Sequence, residues 1–498
     1  MNDLIFIFLS VLASWILLWS ERNVLGWLYH LVAFPIGLLL WVVATSWSGI
    51  TGFDYSGTTI LVAFSIFTIV GIGNIFLRPS RTETNKLSVS SYVIFMVSIL
   101  SLSWLFQKVG YTIAGWDSIV HYEIPGLTLM ESGRYSSVLM GEWSPLLPSM
   151  HAANRFFGVD WTYVPYPILA CNVLVLLGYG CYRFAFVQLP AKPRAIFAIL
   201  IPLGLGSLPA FVFQALHVHS QMISALYLLV AILALRCAQQ SSEGRGAFVV
   251  VAGFAMGGLS VARPDGLAYM FVPGTVAAIL IAHDRWKVHE IAKFVFASLS
   301  CLLFSYICAF VNLGLWESRK LSGKQAIALL MVSVLFSVVI FFLPLIRRRW
   351  PNVNAKRAIG LLACFGASVV VIGVALIKSS GFQIATSNMI TNLLFTGGYG
   401  ALWWGVFSGF LLSILFFGLL KKADFSDMLG VGIFLFFAIA IAVHSISFPG
   451  RLHPADSFNR VAFHILPIAL WFLASFGASA LVTSGFWNSV ENSTVKSS

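Results

Sequence analysis

Between an apolar run that ends near residue 106 and the next that begins near 162 lies a loop rich in groups able to move protons. It reads Gly115-Trp116-Asp117-Ser118-Ile119-Val120-His121-Tyr122-Glu123-Ile124-Pro125, continues through Glu131-Ser132-Gly133-Arg134-Tyr135, and closes with Ser144-Pro145-Leu146-Leu147-Pro148-Ser149-Met150-His151. On a helix beginning at Asp117, His121 lies four residues on and shares its face, so a carboxylate and an imidazole can converge on one substrate hydroxyl. Glu123 offers an alternative second carboxylate. The plainer reading is equally open: Asp117 caps a short helix and the carboxylates are simply solvated. The break at Gly133 and the prolines predict two short helices lying along a membrane surface.

Three further connections carry chemistry. Leu216-His217-Val218-His219-Ser220-Gln221 holds two histidines one residue apart, which in a strand or turn can both point at one ion, with Asp117 completing a ligand set; the alternative is a pair of hydrogen-bonded interfacial histidines. Ser260-Val261-Ala262-Arg263-Pro264-Asp265-Gly266 is a tight turn with an arginine, costly near a bilayer at roughly 2.5–3.5 kcal/mol and so in need of a partner or a task. Its planar fork suits phosphate oxygens, and an Arg263–Asp265 turn salt bridge is the competing explanation. In the last connection Arg451 and His453 precede Asp456, Arg460 and His464, which recur at a spacing of four and line one face of the entering helix. Interfacial snorkelling also accounts for these arginines. The stretch 378–401, almost without charge and ending in Gly397-Gly398-Tyr399-Gly400, reads as a re-entrant or interfacial element, or as two short helices.

These connections need a scaffold, and composition names its class. Of 498 residues, 59% are hydrophobic and only 10% charged, where a soluble domain carries about 25%; the mean hydropathy is +0.90. So much apolar surface must face lipid. About fifteen runs are long enough to span a bilayer: 4–20, 24–45, 59–77, 90–106, 162–188, 195–216, 222–236, 247–262, 267–283, 291–311, 325–345, 358–376, 402–420, 428–445 and 461–483. The expected fold is therefore an all-α polytopic membrane protein of about 13–15 transmembrane helices. With the N-terminus outside, about two-thirds of the Lys and Arg fall in inward connections. Arg319, Lys320 and Lys324 fall on the other side, so a miscounted span near 312–324 would invert the topology beyond it. Positive-inside sorting also explains the net charge of +12 without nucleic acid. The six Cys show no CxxC pair, which points to neither disulfides nor a thiolate site. The first run, lacking a basic leader and cleavage pattern, reads as a retained span.

At this level a family resemblance emerges. Trp116-Asp117, then His121-Tyr122 and Pro125, Gly133-Arg134-Tyr135, Pro145-Leu146-Leu147-Pro148, His151-Ala152 and Phe157-Gly158 together resemble the first outer loop of the GT-C superfamily of membrane glycosyltransferases. This superfamily includes protein O-mannosyltransferases, oligosaccharyltransferases and aminoarabinose transferases. The resemblance covers about 89–311. It implies a GT-C-like bundle, a loop acid acting on the acceptor at the position of Asp117, two juxtamembrane helices, and a sugar donor on polyprenyl phosphate. Arg263 resembles the family's basic position that holds the lipid phosphate. Arg460, ahead of an apolar helix with Leu466-Pro467, resembles its late arginine signature, with Arg451 as second choice. Two features depart from the family. The acidic loop follows the fourth run rather than the first, so 1–88 is an added three-helix segment before a core at 89–315 and a C-terminal region at 316–498. The next outer connection carries His217 and His219 where many members have an acid.

The resulting expectation is a transferase at the outer face of a bacterial inner membrane, working on a polyprenyl-phosphate sugar and a lipid, glycan or protein acceptor, by inversion, with Asp117, His121 and Glu123 as catalytic candidates. His217, His219, His453 and His464 are candidates for substrate or metal; a divalent metal is allowed rather than required. The rivals are a secondary transporter or lipid flippase and an O-antigen-type polymerase or ligase. A transporter favours polar groups at the midplane, whereas here they gather in the connections.

Overall fold

The computed structural model describes residues 2–51, 54–77, 89–108, 119–133, 145–159, 164–217, 219–241, 244–263, 265–284, 286–313, 323–349, 355–412, 425–447 and 457–483. Among the described residues there is no strand, and every apolar run of the sequence falls on helix. Only a helix satisfies all of its own backbone donors and acceptors when no water is present. Among the described residues, six helices are long and apolar enough to cross a membrane: Pro165–Ala185, Ser220–Gln240, Arg245–Ala262, Gly266–His283, Arg357–Ile377 and Phe425–Ile446. The chain is an all-helical polytopic membrane protein.

Runs that read as single spans in the sequence are bent. Leu4–Leu17 meets Trp19–Leu25 at 65°, and Ala191–Ser207 meets Pro209–Leu216 at 71°. The second bend has a local cause, since Leu208 precedes Pro209 and is held extended at φ −69°, ψ 131°. Run 24–45 is likewise a string of short helices, interrupted at Gly26, whose φ is 55°.

Ser220–Gln240 forms the centre of the bundle, with 94% of its apolar window buried, while Arg357–Ile377 lies at the edge with only 11% buried. Arg245–Ala262 packs between Ser220–Gln240 and Val288–Leu313. Its contact with the latter runs through Gly253 and Gly257, spaced four apart, where any Cβ would stand 2.6 Å from the Phe294 carbonyl and 2.8 Å from that of Ser298. Lipid is as apolar as leucine, so such close approach of backbones, not hydrophobic exclusion, holds these helices together.

The loop between residues 108 and 164 contributes two short helices, Ile124–Ser132 and Leu146–Phe156, packed on each other. The first ends at Gly133 (φ 65°), whose carbonyl accepts from the Tyr55 amide at 2.6 Å and the Ser48 hydroxyl at 3.3 Å. The N-terminal helices are knitted into the same core: Tyr227 donates to the Pro35 carbonyl at 2.8 Å and Trp27 to Ser91 Oγ at 2.9 Å.

Gly257→Ala should therefore destabilise the protein by about 1–3 kcal/mol, read as an earlier melt in detergent, whereas Gly373→Ala, with nothing within 4 Å of its new methyl, should leave the melt unchanged.

Candidate functional site

Four chain breaks bring polar side chains to one end of the bundle. The first is a π-helical turn, Ile119–Glu123, that opens the helix Ile124–Ser132; such turns are frequent at functional sites. The second is the extended pair His217 and His219 ahead of Ser220. The third is the turn Arg263 to Gly266, where glycine is obligatory because a Cβ at 266 would stand 1.8 Å from the Leu259 carbonyl. The fourth is the short helix Ser457–Phe463 and the His464 break behind it.

Arg263 grips Asp265 with two bonds, Nε to Oδ1 at 2.7 Å and Nη2 to Oδ2 at 3.2 Å, while Nη1 donates to Ser220 Oγ at 3.3 Å. That leaves two of its five N–H donors for another acceptor. Arg460 Nη1 stands 2.9 Å from His219 Nε2. On the other side of the ring, Nδ1 caps the helix that follows by accepting from the Ser220 backbone N–H at 3.3 Å. Nδ1 also lies 3.3 Å from the Tyr122 hydroxyl, which donates to Ser220 Oγ at 3.4 Å. One continuous chain of contacts, Arg460–His219–Tyr122–Ser220–Arg263–Asp265, thus ties two cations and one carboxylate together.

Burial alone would raise the Asp265 carboxyl, but the charge and hydrogen bonds of Arg263, helped by His464 and His444, hold it down at about 2. Burial opposes the charge on Arg263 as well, and Asp265 more than restores it, so its pKa lies above the ordinary value. Such mutual rescue is what a buried charge pair requires. His464 is fully enclosed against Tyr269 and Phe436, with centroid separations of 5.5 and 6.2 Å, and among the described residues neither ring nitrogen has a hydrogen-bond partner.

Of the residues singled out in the sequence, Arg263, His219 and Arg460 meet in this chain, with His464 close enough to act on Asp265. The Arg263–Asp265 salt bridge, read from sequence as the competing explanation, is present as part of the centre. His217 stacks on His219 at 5.2 Å with rings 19° apart, and on Phe213 at 5.1 Å. That parallel stack, with His219 Nε2 given to Arg460, does not fit the metal set expected from the two histidines. Among the described residues no three His, Cys, Asp or Glu side chains could hold a metal ion. Glu123 is committed elsewhere, to His151 at 2.8 Å and Arg155 at 3.6 Å. Asp117, Arg451 and His453 lie outside the described residues, as does the side chain of His121.

Sequence reasoning missed Tyr122, Ser220 and His444 as parts of the centre. Tyr122 and Ser220 each adjoin a residue or segment it chose; His444, a buried histidine near the end of a span, is the kind of intramembrane ionisable group that deserved selection. Segment 378–401 forms the helix Ser379–Thr391 and a π-helical turn, packed against Phe425–Ser447 and the Arg460 helix, with the Gly398 carbonyl accepting from Ala210 N at 3.2 Å.

Deeper in the bundle lies an apolar cavity of about 720 Å³ between Phe271–Asp284, Gly323–Arg349, Ala355–Ile377 and Phe425–Ser447. It begins at Phe271 and Ile439, roughly 8–9 Å along the helices from Asp265 and His444.

No family model matches the chain, and no curated protein matches it. Among solved structures it is similar to the archaeal oligosaccharyltransferase AglB from Archaeoglobus fulgidus in complex with an inhibitory peptide and a dolichol-phosphate, with a TM-score of 0.46, 15% identity, and coverage of 81% of this chain and 52% of that one. An Archaeoglobus fulgidus oligosaccharyltransferase complex with Zn and sulfate gives a TM-score of 0.46, 15% identity, and coverage of 79% and 50%. The chain spans about half the length of the archaeal enzyme it matches.

With Asp265 held at about 2, below its unfolded value of 3.8, the ion pair stabilises the fold fully above about pH 4 and loses that contribution as the pH falls through about 2. Asp265→Asn should lack this acid step in melts between about pH 6 and 2.

Proposed function

We propose that the protein is a membrane glycosyltransferase that moves a sugar from polyprenyl phosphate to a lipid, glycan or protein acceptor at the outer face of a bacterial inner membrane. The observation that carries this reading is the pairing of two tethered guanidinium groups, one helical turn or two above an apolar intramembrane cavity. That pairing suits a ligand with an anionic head and a long hydrocarbon tail. Arginine forks match phosphate oxygens, and a cavity lined by apolar side chains matches an isoprenoid chain.

In the proposed reaction Asp117 takes the proton from an acceptor hydroxyl. The acceptor oxygen forms a bond to the anomeric carbon as the bond from that carbon to the phosphate oxygen breaks, inverting the centre. The electron pair leaves with polyprenyl phosphate. Its added charge falls on the remaining donors of Arg263 and on Arg460, preorganised by Ser220 and His219 before substrate arrives. Asp117 lies two residues ahead of the π turn that carries Tyr122 into this centre, which favours it over Glu123 as the base. His464, whose nitrogens have no hydrogen-bond partner among the described residues, is the candidate to meet the sugar or the acceptor. The mechanism routes no step through a metal. A transporter would concentrate polar groups at the midplane, and this centre is assembled from connections between spans.

Transfer is measured on purified protein with a polyprenyl-phosphate hexose and host lipid extract. Asp117→Asn should fold and lose transfer, while Arg263→Ala and Arg460→Ala should each lower the rate about 10²–10³-fold. Full transfer by Asp117→Asn would overturn the base assignment, and unchanged rates in both arginine variants would overturn the phosphate site.

A further inference from the structure

The helix Ser220–Gln240, which starts at the polar centre, carries Arg236 near its other end, about 24 Å along the axis and so close to the opposite membrane face. A group of arginines is assembled there that takes no part in the proposed reaction. Its base is a π-helical turn, Cys181–Ala185, in which the span Pro165–Ala185 ends. Arg194 donates from Nε to the Tyr182 carbonyl of this turn at 2.7 Å and lays its guanidinium over the Tyr182 ring, 4.3 Å from the centroid. Arg183 and Arg236 share the Phe184 ring, at 5.8 and 5.5 Å from its centroid. Each also has a second ring: Tyr179 at 6.0 Å for Arg183, and Phe425 at 4.8 Å for Arg236. Arg183 is exposed, and Arg194 and Arg236 are half-buried.

Like charges repel, and arginines that had only to reach water would splay apart. Here aromatic faces gather them, and a ring attracts a guanidinium without neutralising it, so the charge stays available to an anion. Arg245, at the same end, shows the contrast: it is paired with Glu290 at 3.5 Å. Among the described residues neither Arg183 nor Arg194 is paired with a carboxylate, and Arg194 keeps four N–H donors beyond the one given to Tyr182. Beside the arginines the surface is apolar. Exposed Ile196, Leu200 and Leu203 repeat at i, i+4 and i+7 along the helix Ala191–Ser207, a stripe that begins within one turn of Arg194. An anion that arrives on acyl chains meets both features; a soluble one meets only the first.

We propose that this turn is a binding site for the phosphodiester of an anionic phospholipid in the leaflet opposite the polar centre. Arg183 and Arg194 hold the phosphate oxygens with Arg236 beside them, and the acyl chains lie along Ile196, Leu200 and Leu203. The site stands apart from the transfer reaction and does not depend on it.

The test is native mass spectrometry of the delipidated full chain with added phosphatidylglycerol, and with phosphatidylcholine as the zwitterionic comparison. The wild type should hold phosphatidylglycerol in preference to phosphatidylcholine. Arg183→Gln and Arg194→Gln should each weaken phosphatidylglycerol binding about fivefold, and the two together about 30-fold. Arg183→Lys, which keeps the charge and loses the planar fork, should give a smaller loss and serves if Arg183→Gln does not fold. Arg22→Gln removes a basic residue at the same end of the bundle, where Val24 meets Gly244, and should leave the binding unchanged. An equal loss in Arg22→Gln would reduce the effect to net charge and overturn the site, as would equal retention of the two lipids. Displacement of phosphatidylglycerol by excess inorganic phosphate would mean a soluble phosphate ligand and overturn the lipid assignment.

Discussion

Two guanidinium groups drawn out of water at one end of an apolar bundle must be paired or hydrogen-bonded, and that requirement organises the site. Arg263 is stabilised by a two-bond grip on Asp265, and Arg460 stands against Nε2 of His219. Each partner comes from a place where a helix is interrupted: the Leu208–Pro209 bend that delivers His217 and His219, the glycine-dependent turn after Ala262, the π turn before Ile124, and the break at His464. Within hydrocarbon, irregular backbone is tolerated only where it is buried in protein or lines a cavity. The interruptions therefore cluster because the charges do.

The fold class was legible because it is set by quantities summed over the chain. A charged fraction of 10% and repeated apolar runs leave no alternative to a helical membrane protein. Bends inside runs were not legible in the same way, since hydropathy is blind to direction; Pro209 carried the signal for the one that matters most, and reading 195–216 as one span passed over it. The site was half legible. Arg263, His219, Arg460 and His464 stand out as ionisable residues in short connections, and they converge. Their partners did not stand out: Ser220 and Tyr122 are ordinary residue types, and what makes them important is a contact between segments about one hundred residues apart. The surroundings of His217 and His219 were out of the sequence's reach for a related reason. Spacing placed both side chains in one region, but not the Phe213 stack and the guanidinium that occupy their faces and edges.

The cavity and the polar centre have different requirements and are met by different parts of the chain. The cavity draws on the weakly buried helices Gly323–Arg349 and Ala355–Ile377, the latter carrying exposed Leu361, Phe365 and Val369 on the face that does not line it. The polar centre draws on the tightly packed ones, above all Ser220–Gln240. This division suits a ligand whose head must be gripped and whose tail must slide in from lipid: rigidity at the phosphate preserves electrostatic preorganisation, and loosely packed outer helices leave a way for the chain to enter.

The most direct measurement of the central claim is a cryo-EM structure of the full chain in nanodiscs with decaprenyl phosphate. The account predicts phosphate density between Arg263 and Arg460, with the isoprenoid chain descending past Phe271 into the cavity. Phosphate density at a different site, with Arg263 and Arg460 still bonded only to protein, would contradict it.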